Sequence, residues 1–437
     1  MSAAPEVANF LAALAQTERL PPERLVAYQR RLLNTLLRHA RAETEFYASR
    51  LAPLFRADDT IDWERWQEIP IVTRHDVQAN YEGLVARSLP NLAGESGADT
   101  SSGSTGTPIR HLTTGIQDMA SACASERFFR WHGIRPDKLT VRVVATRNTE
   151  AVLPHGRPKP GWRIGHRDSV AIDLNIRTAV PDQIAFVREK SAAYLMTYPT
   201  NFREIARVSD EAGMRLSLAA ILTVGEMVSD DVRQIIRAHF GKEPLDRYGA
   251  SEVGHIAATC PECSAHHIAA ELVLIEIVGD DGKALPPGQP GKVVATPFYS
   301  LAMPFIRYEV GDFASLSPDP CPCGRTLPVL SRILGRTRNV FRFADGSSVW
   351  PVLYSAEMHA LVPNRQYQIV QHTPSEIEFR YVPADVGTAP DAAGLTAYMR
   401  AKLHPTISVR LTPMASIPRS PGGKYEDYLS LVEPKHR

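Results

Sequence analysis

From Thr140 to Phe240 the chain alternates short apolar runs with amphipathic stretches, and no other feature constrains its fold as strongly. Strands are predicted at 140–145, 194–197 and 218–224, and helices at 184–190, 200–212 and 228–240. Strands that alternate with helices imply a mostly parallel sheet, because parallel neighbours need a crossover that then covers a face. From Leu272 to Phe343 the texture changes to short strands split by Asp-Gly, Pro-Gly and Asp-Pro turns, which predicts antiparallel β structure. The last hundred residues are mixed, with strands expected at 367–372 and 377–381 and a helix at 394–403. On the N-terminal side, Leu25, Tyr28, Leu32, Leu36 and Leu37 recur at helical spacing, predicting an amphipathic helix within 22–54. Thr73 is placed to cap a short helix from Arg74, Ile109 to Thr113 suits a strand, and Asp118 to His132 suits a helix ended by Gly133.

A chain of 437 residues exceeds one ordinary core, so two or more domains are expected. Its 49 basic and 48 acidic residues leave a formal charge of +1, which offers no extended field for nucleic acid or anionic lipid and favours a small-molecule partner. No apolar stretch approaches the roughly 20 residues of a bilayer span, and the N-terminus lacks a basic patch followed by an apolar run. The expectation is a cytoplasmic protein without membrane or nucleic-acid partners; a homodimer stays open.

The run Ser101-Ser102-Gly103-Ser104-Thr105-Gly106-Thr107-Pro108 is a glycine and hydroxyl loop. It fails the Walker pattern, because Pro108 stands where the second glycine belongs and no lysine follows. Gly103 and Gly106 nevertheless let backbone N–H groups turn inward, and the hydroxyls add donors, so an anion could be cradled. A solvated linker is the competing reading. Further along come Tyr248-Gly-Ala-Ser-Glu252, Arg307-Tyr-Glu-Val-Gly-Asp312, Gly335-Arg-Thr-Arg338 and Pro418-Arg-Ser-Pro-Gly-Gly-Lys424. With these motifs in register the sequence resembles the adenylate-forming (acyl-CoA synthetase) superfamily, most closely its phenylacetate-CoA ligase branch. The stretches IPIVTRHDV, HGIRPDK, TVGEM, CPCGRTLP and IPRSPGGKY extend that resemblance over nearly the whole chain.

The resemblance implies that Ser101 to Thr107 wraps the β- and γ-phosphates of ATP and that Tyr248 stacks on adenine beside Gly249. It places Ser251 at the α-phosphate, Glu252 on Mg²⁺, and Asp312 and Arg336 on the ribose hydroxyls. Gly225 and Glu226 would line the adenine and acyl pocket, with Tyr198 and Ala250 near the substrate; a helix N-terminal charge is the competing reading of Glu226. Lys424 would approach the reacting carboxylate, and Arg338 would be the hinge. The implied fold is α/β: a large N-terminal body with mixed sheets and a β subdomain over 1–335, and a small mobile α+β domain over 336–437. The residue types suit that chemistry, since an ionised carboxylate attacking phosphorus needs charge neutralisation and in-line positioning and no general base.

Cys260 and Cys263, followed by His266 and His267, and the pair Cys321 and Cys323 have the ligand types and local spacing of a structural zinc site. Cys260, His267, Cys321 and Cys323 form one candidate set suggested by the branch, with Cys263 as competitor; Cys123 is expected to be packed. Thr107 stands where many relatives carry lysine, and the segment after HGIRPDK departs from the aryl-binding pattern. There Arg147, Asn148 and His155 suggest a larger or more polar acid, a surface loop being the alternative. The expected activity joins a carboxylic acid, aromatic by resemblance, to coenzyme A through an acyl-adenylate. Transfer to an amine or a carrier-protein thiol is the alternative, and a nucleotide-binding sensor without turnover is the contrasting class.

Overall fold

The computed structural model describes residues 4–100, 109–146, 148–336, 339–351, 353–384, 389–419 and 425–432. The phosphate-loop candidates Ser101 to Thr107, and Arg147, Arg338 and Lys424, lie outside them.

One sheet of twelve strands runs through the large body. Its parallel part is formed by Val170–Asn175, Thr140–Val144, Tyr194–Thr197, Ala220–Thr223 and Pro244–Ala250, in that spatial order. Tyr194–Thr197 is buried at every position, as expected of a strand covered on both faces. The helices Val180–Glu189, Pro199–Glu211 and Asp230–Phe240 contribute to the core on that side, around Leu195, Phe202, Ile221 and Ile236. Local chemistry sets their limits: Pro199 starts one helix, while Ser229 caps another that ends on left-handed Gly241 (φ 64°).

Beyond Pro244–Ala250 the sheet turns antiparallel through Gly254–Thr259, His266–Ile268, Val329–Arg336, Tyr308–Leu316, Gly291–Pro297 and Val273–Val278. The helix Pro22–Glu43 packs its leucines on this half. It is shorter than the sequence pattern suggests, because Thr44 is extended (φ −122°, ψ 140°) and its side chain caps a new helix, Glu45–Arg50. Thr73 caps Arg74–Ala79 as expected, and Asp76 completes a capping box with it.

A third core contains only residues from Phe341 onward, among them Met358, Ile369, Phe379, Leu395 and Ile407. It underlies a four-stranded sheet in the order Ser408–Pro413, Glu376–Pro383, Asn364–Thr373, Tyr428–Ser430. The α/β body with its antiparallel portion and the small α+β C-terminal unit are as expected. Among the described residues no helix is long and apolar enough to cross a membrane.

Candidate active site and metal centre

Two apolar-looking motifs act as scaffold. Arg307, fully buried and in the left-handed region (φ 52°), donates from Nη1 to the carbonyls of Gln67 (2.9 Å) and Ile69 (2.7 Å) and pairs with Glu276. Backbone bonds from Val72 N to Arg307 O and from Glu309 N to Val72 O, both 2.9 Å, then tie the IPIVT segment to the strand carrying Asp312. That tie also sets Arg74 3.9 Å from the buried Glu252 carboxylate.

On this frame three separated motifs meet. The Tyr248 hydroxyl donates to Asp312 Oδ2 at 2.8 Å, and Arg336 Nε lies 3.7 Å from Asp312 Oδ1, with Asp312 and Arg336 paired across neighbouring strands. Burial, reinforced by the Asp312 charge, holds the Tyr248 phenol well above its ordinary pKa, so it stays a donor. Gly249 is required by close approach: a Cβ there would lie 2.6 Å from the Gly254 carbonyl oxygen. The turn that follows leaves Ser251 exposed and Glu252 buried; Ala250 is half-buried and pairs with Gly254.

A cavity of about 500 Å³ opens at the carboxyl ends of the parallel strands, the usual ligand site of such sheets. Gly225 (φ 76°) and Tyr198 line it, with Ala122, Ser125 and Phe129 from the helix Gly115–Trp131 opposite. The Tyr198 hydroxyl accepts the Ala145 N–H at 3.1 Å, which fixes the ring against the wall. Asn148 instead serves its own loop, accepting the Glu150 N–H at 2.8 Å, and His155 is exposed; neither lines the cavity. Its charged lining is Glu126 with Arg142, Arg163 and Arg247, which periodicity and motifs did not single out because they sit on strands or next to an aromatic cluster.

Glu226 lies just outside the cavity and serves a helix other than the one that follows it. Its Oε2 accepts from Thr200 N (3.1 Å) and Thr200 Oγ1 (2.7 Å) at the start of Pro199–Glu211. Its Oε1 accepts the backbone N–H of Tyr425 at 2.6 Å, with Arg419 Nη1 3.6 Å away. Burial raises its pKa against these stabilising contacts. The C-terminal unit is held to the body further by Arg203, whose two Nη atoms bind the Asp427 carboxylate at 3.0 and 2.7 Å, and by Ser355 N donating to Asp231 at 3.0 Å.

The cysteine motifs converge beneath the antiparallel half. Ligand atoms of Cys260, His267, Cys321 and Cys323 all lie within 4.8 Å of one another. His267 Nδ1 bonds the Leu327 carbonyl (3.2 Å), which turns Nε2 toward Cys323 Sγ (3.2 Å), and burial pushes the imidazole down to about 4, keeping it neutral. Backbone N–H groups of Glu262 and Arg325 each reach a sulfur, of Cys260 and Cys323, at 3.4 Å. Three thiols and one oriented neutral imidazole fit a closed tetrahedral zinc site. Cys263 Sγ is 3.2 Å from Cys321 Sγ, but the residue is exposed. Cys123 is buried.

No family model matches the chain. A phenylacetate-coenzyme A ligase of Thermus thermophilus is 29% identical over 268 residues, 55% of this chain and 59% of that protein. A phenylacetate-coenzyme A ligase of Pseudomonas putida is 25% identical over 353 residues, 78% of this chain and 76% of that protein. Thus the chain's match to the first of these spans less than two thirds of that relative's length. Among solved structures, 2-hydroxyisobutyryl-CoA ligase in its postadenylation state aligns with a TM-score of 0.74 at 20% identity, covering 96% of this chain and 92% of that one. The anthranilate CoA ligase AuaEII aligns with a TM-score of 0.56 at 14% identity, covering 75% and 65%. Sequence similarity and fold agree: the chain is similar to phenylacetate-coenzyme A ligases over much of its length and has the fold of the solved acyl-CoA ligases.

Proposed function

We propose that this protein is an AMP-forming acid–thiol ligase: it converts a carboxylic acid and ATP into an acyl-adenylate and pyrophosphate, then passes the acyl group to coenzyme A. The observation that carries the reading is the convergence of Tyr248, Asp312 and Arg336 beside a cavity lined by Gly225 and Tyr198, since a nucleotide and an acid must meet there. In the first half-reaction a carboxylate oxygen attacks the α-phosphorus and pyrophosphate leaves; in the second the coenzyme A thiolate attacks the acyl carbonyl and AMP leaves.

Tyr248 supplies a face for adenine, Asp312 accepts from the ribose hydroxyls, and Arg336, 3.7 Å from it, helps aim the Asp312 carboxylate. Glu252 is the residue that would hold Mg²⁺; its buried carboxylate, 3.9 Å from the Arg74 guanidinium, suits a hard cation that neutralises phosphate charge. Ser101 to Thr107 would wrap the outer phosphates, Ser251 would sit at the inner one, and Lys424 would approach the reacting oxygens. Tyr425 is the neighbour of Lys424, so its bond to Glu226 supports assigning this seating of the C-terminal unit (336–437, hinged at Arg338) to the first half-reaction. Cys260, His267, Cys321 and Cys323 would hold a structural Zn²⁺.

An aromatic acid is favoured by Phe129 and Trp162, whose rings meet at 5.4 Å near the cavity. Pyrophosphate release measured over a panel of acids, followed by mass analysis of products formed with coenzyme A, a simple amine and no acceptor, tests the reading. A coenzyme A thioester supports it; an amide as the sole product would replace the acceptor.

A further inference from the structure

The cavity floor is more basic than activation of one carboxylate requires. Arg142 stands opposite Met196 and precedes Val144 by two residues on the same strand, further from the carboxyl ends of the strands than Gly225, which follows Ala220–Thr223. Arg247 descends from the strand Pro244–Ala250, its guanidinium 5.2 Å from the Phe129 ring. Arg142 lies 5.8 Å from the Trp162 ring, so the two cations flank the Phe129–Trp162 pair.

The carboxylates nearby pair with other groups and leave Arg247 unbalanced. Glu126 is engaged by Arg163 at Nε (2.8 Å) and Nη2 (3.0 Å), by Arg130 (3.1 Å) and by His166 (3.0 Å). Asp173 pairs with Arg142 at 3.1 Å. Asp246, next to Arg247 in sequence, turns its carboxylate to Thr223 Oγ1 (2.6 Å) and His266 Nε2 (3.0 Å). Arg247 is left with aromatic faces and has no hydrogen bond or ion pair among the described residues. Burial, with Arg142 close by, pushes it down to about 10, which still leaves it charged at neutral pH. Burial, with the charges of Arg247 and Arg127, holds the His255 imidazole well below its ordinary pKa. A guanidinium that lines a cavity without a hydrogen-bonding or charged partner is best completed by an anionic group.

We infer that the acid taken by this cavity carries a second anionic group at its far end, bound by Arg247 with Arg142 beside it, while its reacting carboxylate stays at the mouth by Gly225 and Tyr198. This rests on the activation chemistry proposed above and narrows its substrate class. The apolar middle, Ala122, Phe129, Trp162 and Val224, fits an aromatic or aliphatic spacer. A planar carboxylate suits the fork of a guanidinium, so a dicarboxylic acid is the class indicated.

The test compares matched pairs: phenylacetic with 4-carboxyphenylacetic acid, and hexanoic with adipic acid, plus 4-sulfophenylacetic acid, which carries the charge without the planar geometry. Acid-dependent pyrophosphate release is measured for the full chain and for Arg247→Met, and binding of each acid is measured by calorimetry. The diacid is expected to exceed its monoacid in kcat/KM by roughly 100-fold or more, because an analogue lacking the group leaves the Arg247 donors without a partner in the cavity. Arg247→Met should shrink that ratio at least about tenfold, and Arg247→Lys should restore part of it. Preference for the sulfonate over the dicarboxylate would overturn the carboxylate assignment. Pyrophosphate release with monoacids at equal or better efficiency overturns the inference and leaves the activation chemistry standing. Tight binding of a diacid without pyrophosphate release does the reverse. Absence of diacid binding overturns the inference whatever the turnover.

Discussion

Glu226 accepts the backbone N–H of Tyr425 at 2.6 Å, so the residue beside the cavity glycine holds the residue beside the proposed catalytic lysine. The same carboxylate takes two donors from Thr200 at the head of a body helix. One buried group thereby ties the C-terminal unit to the body, alongside the Arg203–Asp427 and Ser355–Asp231 contacts.

Glu226→Ala should weaken that tie. Bonds to a charged group contribute about 1.5–3 kcal/mol, so acid-dependent pyrophosphate exchange should fall roughly 10- to 100-fold. Thiolysis of supplied acyl-adenylate, which needs the other seating, should fall far less; equal losses would remove the assignment. Acid has a related effect. Because burial raises the Glu226 pKa, its proton returns at a pH above the ordinary carboxylate range, and the acceptor is lost as pH falls through that raised value. Pyrophosphate exchange should therefore decline on acidification earlier than a carboxylate of pKa 4.5 would dictate, and Glu226→Gln should flatten that limb of the profile.

Asp312→Ala should raise KM for ATP by roughly 10- to 100-fold through lost charge-assisted bonds to ribose. Tyr248→Phe keeps the ring and removes only the 2.8 Å bond to Asp312, so its effect on KM should be under about tenfold. A Phe variant worse than the Ala variant at 312 would reverse the roles assigned to the pair.

Elemental analysis should find about one zinc per chain, bound by three thiolates and one imidazole. Cys321→Ser and His267→Ala should lose the metal and lower the thermal midpoint, whereas Cys263→Ser should keep it. Metal retained in His267→Ala and lost in Cys263→Ser would make Cys263 the fourth ligand.

Gly249→Ala drives a methyl to 2.6 Å from the Gly254 carbonyl, a backbone atom that cannot turn aside. Thermal unfolding should show a loss of roughly 1–3 kcal/mol. A fully stable variant would mean that the 249–254 turn is looser than its contacts indicate.

Much of the body was legible because the signals were local and redundant. Tyr194–Thr197 was expected as found, and Thr73 announced its helix as an N-cap. Where signals were weak the sequence was silent: Arg157–Pro160, with two prolines, and the exposed-edged Val170–Asn175 join the sheet by pairing that periodicity does not encode. The helix ending at Glu43 illustrates another limit, since apolar spacing continues past Thr44 while an extended backbone there interrupts it. At the site, motif residues such as Tyr248 and Asp312 could be named in advance. Arg142 and Arg247 could not, because a charged residue within a strand reads as solvent-facing until the helix above it is placed. Glu226 was named for the pocket, and only the fold shows which helix and which distant N–H it serves.

The most direct test of the central claim is product analysis by mass spectrometry after incubating the protein with ATP, Mg²⁺ and the acid panel, before any thiol is added. The account predicts an acyl-adenylate and an equal amount of pyrophosphate. ADP with inorganic phosphate, or unchanged ATP across the panel, would contradict it.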